Sequence, residues 1–219
     1  CIYPVSEGLS VKTNTAKVLQ ARKGVVELLL SNHPADCLNC VRSGSCELQN
    51  LAQQMGIRKN RFSGEMSTFP VDDRSVAIVR DANKCVYCRR CEAVCKKVQG
   101  VSVLGGIGRG FNATVGPAFG HSLDDINCTL CGQCVNVCPV GALYEKDDTD
   151  KVWAALADES KHCVVQFSPA VRIAISEEFG LPIGTISTGK TVAALRRLGF
   201  DKVFDTNFAA DVTIWEEAS

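Results

Sequence analysis

Two short runs, "CVYCRRCEAVC" at 85–95 and "CTLCGQCVNVCP" at 128–139, share the spacing C-x2-C-x2-C-x3-C. This spacing constrains the fold more than any other feature of the chain, because three thiolates in one tight loop can close around a single inorganic cube and so dictate the loop's path. Iron in a cubane cluster takes four soft thiolate ligands. The fourth cysteine of each run lies on the following helical turn, which carries it toward the other cube. The pattern therefore assigns Cys85, Cys88, Cys91 and Cys138 to one 4Fe–4S cluster and Cys128, Cys131, Cys134 and Cys95 to a second. Pro139 follows Cys138, as the bacterial two-cluster pattern expects, whereas Lys96 follows Cys95. Zinc knuckles are the alternative; they draw their ligands from local pairs and leave this arrangement unexplained. The duplication implies two pseudo-symmetric halves.

A rarer constellation precedes the repeat: His33-x3-Cys37-x2-Cys40-x5-Cys46. A neutral imidazole in place of a thiolate removes one negative charge from an iron site and tends to raise its potential. Cys3His is also a common structural zinc set, so spacing alone leaves iron and zinc open here.

Thirteen cysteines would suit a disulfide scaffold in a short secreted chain, but this one has 219 residues and opens without a signal peptide. A cytoplasmic location is the expectation. Lys plus Arg equals Asp plus Glu at 24 each, so charge gives no reason to expect nucleic acid or an anionic membrane as partner. The longest apolar run, "VVELLL" at 25–30, is far too short for a membrane span. The opening Cys1 suggests an upstream part that is missing from the sequence.

Periodicity gives the coarse organisation. A helix is predicted over 13–31, with Thr and Asn as candidate caps, and another beginning at Cys46. Residues 57–75 are polar and basic and read as a linker. Short β-like runs and many glycines fill 76–148. Beyond 148 the texture alternates: helical "TDKVWAALADES", "CVVQF" as a buried strand, helical "AVRIAISEEF" and "TVAALRRLG", then a short strand "KVF". That alternation is α/β.

The stretches "HPADCLNCVRSGSCELQ", "CVYCRRCEAVCKKVQGVSVLGGIGRGFNATVGPAF" and "CTLCGQCVNVCPVGALYE" resemble the accessory electron-transfer domains of iron-only (FeFe) hydrogenases. Similar domains occur in the large iron–sulfur subunit of respiratory complex I and in some formate dehydrogenases. In those families the matching His and three Cys hold a 4Fe–4S cluster, so the resemblance implies a third cubane on His33, Cys37, Cys40 and Cys46. The segment after 160, with "VVQFSPAVRIAISEEFG" and "TGKTVAALRRLGFDKVFDTNFAADVTIWEEAS", resembles the opening of the hydrogenase catalytic domain. There the resemblance sets Ser168, Pro169 and Ala170 beside the active-site cluster, with backbone N–H groups toward its cyanide ligands; serine stands at 168 where alanine is expected. "CIYPV" matches the last-cysteine stretch of a plant-type 2Fe–2S domain, which makes Cys1 a ligand whose three partners are absent from this sequence.

The resemblance implies an α+β multidomain chain: 1–12 as a remnant of the 2Fe–2S domain, 13–75 as a small helical His/Cys3 domain, 76–148 as a ferredoxin-like two-cluster domain, and 149–219 as the start of an α/β catalytic domain. The expected cofactors are three 4Fe–4S clusters, with a 2Fe–2S cluster and an active-site diiron cluster in the parent protein. The parent would reversibly reduce protons to dihydrogen, with ferredoxin or NAD(P)H-linked flavoprotein subunits as partners in a multisubunit complex. The cysteines that hold the catalytic cluster lie downstream of 219 in such proteins, so no catalytic residue is assigned here. The rivals are a subunit of a complex I-like or formate dehydrogenase-like oxidoreductase, and a non-catalytic wire.

Other motifs carry less. "GTISTGKT" at 184–191 fits the phosphate-loop pattern, but a whole predicted helix separates it from the preceding strand, so a helix-capping loop is expected. "GGIGRG" at 105–110 misses the dinucleotide spacing and reads as a turn-rich insert. Cys163 reads as an inert core cysteine, and His121 and His162 as surface or hydrogen-bonded histidines. The pairs Arg89-Arg90 and Lys96-Lys97 flank the cysteine runs, where they either offset cluster charge or lie on solvated faces.

Overall fold

A computed structural model of the chain describes residues 3–218 and divides it into two units, Cys1–Lys146 and Asp147–Ser219. In the first unit helix α1 (Ala16–Ser31) starts where the Thr15 hydroxyl accepts the Val18 N–H at 3.3 Å, and α2 (Glu47–Gln54) starts directly after Cys46. Then come β1 (Ile78–Arg80), α3 (Arg90–Lys97), β2 (Gly105–Ile107), β3 (Thr114–Gly116), α4 (Gln133–Asn136) and β4 (Leu143–Glu145).

The duplication seen in the cysteines extends to the backbone. Each half runs strand, cysteine loop, helix, strand. The outer strands β1 and β4 pair antiparallel from Ile78↔Glu145 to Arg80↔Leu143, and the inner strands β2 and β3 pair antiparallel from Gly105↔Gly116 to Ile107↔Thr114. "GGIGRG" thus forms β2 and the turn that follows it. Three-residue strands in two-stranded sheets bury little by themselves. Cysteines fill the gap: Cys95 and Cys134 pack with Ile78, Leu104 and Leu123 in one core cluster, and Cys46 packs with Val26, Leu48 and Val140 in another.

Residues 57–75 are not a loose linker. Ser67 N–H donates to Asn32 Oδ1 at 2.7 Å, and Phe69 exchanges two hydrogen bonds with the Asn83 side chain, at 2.8 and 2.9 Å. Asp72 exchanges backbone bonds with Arg80, while its carboxylate accepts from the Ser122 hydroxyl and the Leu123 N–H. The segment satisfies its backbone on distant side chains, which local composition cannot reveal.

In the second unit α5 (Thr149–Leu156) precedes β5 (Val164–Phe167), then α6 (Val171–Glu178), α7 (Thr188–Leu198), β6 (Lys202–Asp205) and α8 (Thr206–Glu217). Strands β5 and β6 are parallel, from Val164↔Lys202 to Phe167↔Asp205, and the α6–α7 pair supplies the crossover that parallel strands require. The buried-strand reading of "CVVQF" needs correction: Val164 is 53% exposed and only Phe167 is buried, because β5 has a single neighbour and alternates between a covered and an open face.

Candidate metal centres

The two cysteine loops bend in the same places. Tyr87 and Leu130, each two residues after the first cysteine of its run, have φ of 52° and 53°. Arg89 and Gly132, each just after the second, have φ of 60° and 72°. Left-handed backbone in non-glycine residues costs on the order of 1–2 kcal/mol each and persists where the surroundings enforce it. Here it turns three successive cysteines toward one side.

Three cavities result, each lined by one of the expected ligand sets. The first, about 390 Å³ including its mouth, is lined by Cys85, Cys88, Cys91 and Cys138 with Arg80 and Arg89. The second, about 310 Å³, is lined by His33, Cys37, Cys40 and Cys46 with Lys84 and Gly141. The third, about 360 Å³, is lined by Cys95, Cys128, Cys131 and Cys134. Cys91 and Cys95 lie one turn apart on α3 yet open into different cavities, as do Cys134 and Cys138. The first and second cavities share a wall: Pro139, Val140 and Ala142 line one, and Gly141 lines the other. The order in space is therefore second, first, third.

Among the described residues every cysteine is unbridged, and no three His, Cys, Asp or Glu side chains converge as ligands of a single ion. Four thiolates on one zinc sit about 3.8 Å apart, given Zn–S bonds of about 2.3 Å. A cubane seats each thiolate on a different iron corner and so needs a wider cage than a single zinc. Cys1 lies outside the described residues.

Burial favours the protonated thiol at two of these cysteines. Burial, reinforced by Cys85, pushes Cys91 up to about 12, and burial with Cys128 pushes Cys134 up to about 11. A metal held by those thiolates would have to displace the protons. His33 is held below its ordinary value by burial and then by Lys84, which keeps the imidazole lone pair available. Lys84 donates to Asp81 at 3.3 Å. Of the basic residues singled out from the sequence, the two arginines are neutralised: Arg89 pairs with Glu92, and Arg90 makes two bonds to Glu47 at 2.6 and 2.8 Å, tying α3 to α2.

Sequence reasoning passed over Gly141. A Cβ there would stand 2.7 Å from Cys40 Sγ and 3.5 Å from Lys84 Cδ. At that distance something must shift, and the nearest atom is the Cys40 sulfur that lines the cavity. Gly141→Ala is therefore expected to lower iron content by about one cubane, about four irons, with the loss confined to the His33 site. Iron analysis with electron paramagnetic resonance checks this; full iron loading in the variant would contradict it.

In the second unit Ser168, Pro169 and Ala170 are exposed and form the turn between β5 and α6. In "GTISTGKT" the preceding element is α6, the Ser187 hydroxyl donates to Arg172 O at 2.8 Å, and the Thr191 hydroxyl donates to Ser187 O at 3.0 Å. Those hydroxyls serve the backbone. Cys163 is part-buried, its thiol 3.4 Å from Ala155 O.

Comparison with known proteins agrees with the layout of the motifs. Residues 22–61 match the NADH-ubiquinone oxidoreductase-G iron-sulfur binding region, and 75–144 match the NADH-quinone oxidoreductase subunit 3 ferredoxin-like domain. Residues 161–219 match the iron only hydrogenase large subunit, C-terminal domain. The chain is 55% identical to the NADP-reducing hydrogenase subunit HndD of Solidesulfovibrio fructosivorans and 38% identical to iron hydrogenase 1 of Clostridium pasteurianum, in both cases over all of this chain. It spans 37% and 38% of the lengths of those two relatives. A chain of an NAD+-reducing [NiFe]-hydrogenase, crystallised in the H2-reduced state, superposes with a TM-score of 0.60 at 26% identity, over 65% of this chain and 61% of that one. The chain belongs to the iron-only hydrogenase family, in the part of those proteins where electron-transferring iron–sulfur segments lead into the C-terminal domain of the large subunit.

Proposed function

We propose that the chain holds a row of three 4Fe–4S clusters and conducts electrons for a hydrogenase that reversibly reduces protons to dihydrogen. The carrying observation is that each ligand set lines its own cavity and that the cavities adjoin in sequence. When bound, the clusters supply reversible one-electron storage. The protein's own residues hold them apart, set their charge surroundings and exclude water by packing Ile78, Leu104, Leu123 and Val140 around the cages.

Residues 13–75 form the His/Cys3 domain in this reading, 76–148 the two-cluster domain, 149–219 the start of the catalytic domain, and 1–12 with Cys1 the end of a 2Fe–2S domain. Ser168, Pro169 and Ala170, in the turn before α6, would lie beside the active-site cluster of the whole protein, with the backbone N–H groups of Ser168 and Ala170 toward it. Ferredoxin or NAD(P)H-linked flavoprotein subunits would exchange electrons with it in a multisubunit cytoplasmic complex. Among the described residues no helix is long and apolar enough to cross a membrane. The matches at 22–61 and 75–144 favour, as a second reading, a complex I-like oxidoreductase subunit; the match at 161–219 weighs for hydrogenase.

Residues 1–219 alone are proposed to pass electrons without turning over dihydrogen. The eleven cysteines from 37 to 138 are all assigned to three cubanes, and Cys163 is isolated. Anaerobic reconstitution should load about twelve irons and no stoichiometric zinc. After reduction by dithionite and a viologen, gas chromatography should find no sustained hydrogen. One zinc with about eight irons would overturn the His33 assignment, and steady hydrogen evolution would overturn the division of labour.

A further inference from the structure

The two repeat-related cavities have the same ligand spacing but different charge. The third is lined by apolar side chains, glutamines, Thr129 and Gly132 besides its cysteines, with no Asp, Glu, Lys or Arg. Two arginines line the first. Arg89 is neutralised by two bonds to Glu92 at 2.6 and 2.7 Å, and its side chain is more than half exposed. Arg80 differs in every respect.

Arg80 ends β1, and its guanidinium lies against Gly116, where a Cβ would stand 3.0 Å from Nη1. Nη1 donates one long bond, 3.4 Å, to Val115 O. Nε is buried with no acceptor. Among the described residues no carboxylate forms an ion pair with it; the nearby Asp72 carboxylate is engaged by Ser122 and Leu123. A guanidinium stays charged at any ordinary pH, and leaving it without a counter-charge and with an orphan N–H is costly. An anionic sulfur-rich group in the adjoining cavity resolves both costs.

We propose that Arg80 donates to the cluster on Cys85, Cys88, Cys91 and Cys138 and holds its reduction potential above that of the twin on Cys95, Cys128, Cys131 and Cys134. The inference rests on the three-cluster reading. Reduction adds a negative charge to a cubane, and a fixed positive charge with a hydrogen bond to sulfur stabilises that reduced form. With ligand type equal, this asymmetry decides which of the two fills first.

The test is an anaerobic redox titration of the reconstituted full chain, followed by electron paramagnetic resonance, with the first cluster's signal identified by its absence in Cys138→Ala. In the unaltered chain the first cluster should reduce at the higher potential. Arg80→Gln should lower its reduced-to-oxidised ratio at a fixed potential at least tenfold, about 59 mV for one electron, and leave the twin little changed. Arg80→Lys keeps the charge and should retain most of the potential. A higher potential for the twin in the unaltered chain overturns the proposal, even if Arg80→Gln fails to assemble. So does an unmoved midpoint in a loaded Arg80→Gln, or a drop in Arg80→Lys as large as in Arg80→Gln. Failure of the underlying reading is separable, because it appears beforehand as about eight irons and no signal sensitive to Cys138→Ala.

Discussion

Replacing Cys138 with alanine should remove about four irons, and the cubane that disappears should be the one whose other ligands belong to the preceding cysteine run. Cys138 lines the cavity of Cys85, Cys88 and Cys91, whereas Cys134, one turn earlier, lines the other. Cys95→Ala should give the mirror result and empty the site of Cys128, Cys131 and Cys134. Ligation confined to each local run would give the opposite assignments. Combining each variant with Cys88→Ala or Cys131→Ala distinguishes the two schemes: crossed ligation predicts that Cys88→Ala adds no further iron loss to Cys138→Ala. A further loss of a whole cubane in that double variant would refute the crossing.

Stripping iron should abolish the cooperative melting of the first unit while leaving the helices of the second largely intact. The first unit's sheets are pairs of three-residue strands, and buried Cys46, Cys95 and Cys134 are part of its cores. Without clusters those cysteines line gaps instead of ligating a group that ties their loops together. A metal bound only by the folded form contributes its binding energy to folding. The second unit contains none of the assigned ligands. Whatever apo structure survives should weaken as pH rises. Folding lifts Cys91 from 9.0 to about 12 and Cys134 from 9.0 to about 11, so their thiol forms favour the fold fully below about pH 9 and lose that effect on the way to the folded values. Circular dichroism and hydrogen exchange on paired holo and apo samples measure both effects. An apo protein melting within a few degrees of the holo form would contradict the account.

The cysteine spacing was the most legible part of the chain, because ligand geometry leaves few ways to wrap a cube and the residues it grouped line common cavities. Helices with a local signal were legible too, such as α1 behind Thr15. What escaped depends on partners distant in sequence. Polar residues 57–75 look like a linker until Asn32, Asn83 and Ser122 are seen to hold them. Arg90 looks like a cluster-side charge until Glu47 neutralises it, and Arg80 draws no notice within a strand until its lack of a partner is seen. Helix α8 begins on an Asp205 side-chain cap to Phe208 N–H that follows directly from β6, and sequence reading had stopped at the strand.

The left-handed corners at Tyr87 and Leu130, and again at Arg89 and Gly132, bear on how such a site could be transplanted. The matching corners carry unlike side chains, all with φ in the left-handed region between 52° and 72°. A designer grafting a cubane loop into a new scaffold would therefore have to reproduce the local handedness at two positions and could leave residue identity there to the host. A host whose backbone holds those positions in a right-handed or extended form would splay the thiolates, even with every cysteine copied in register.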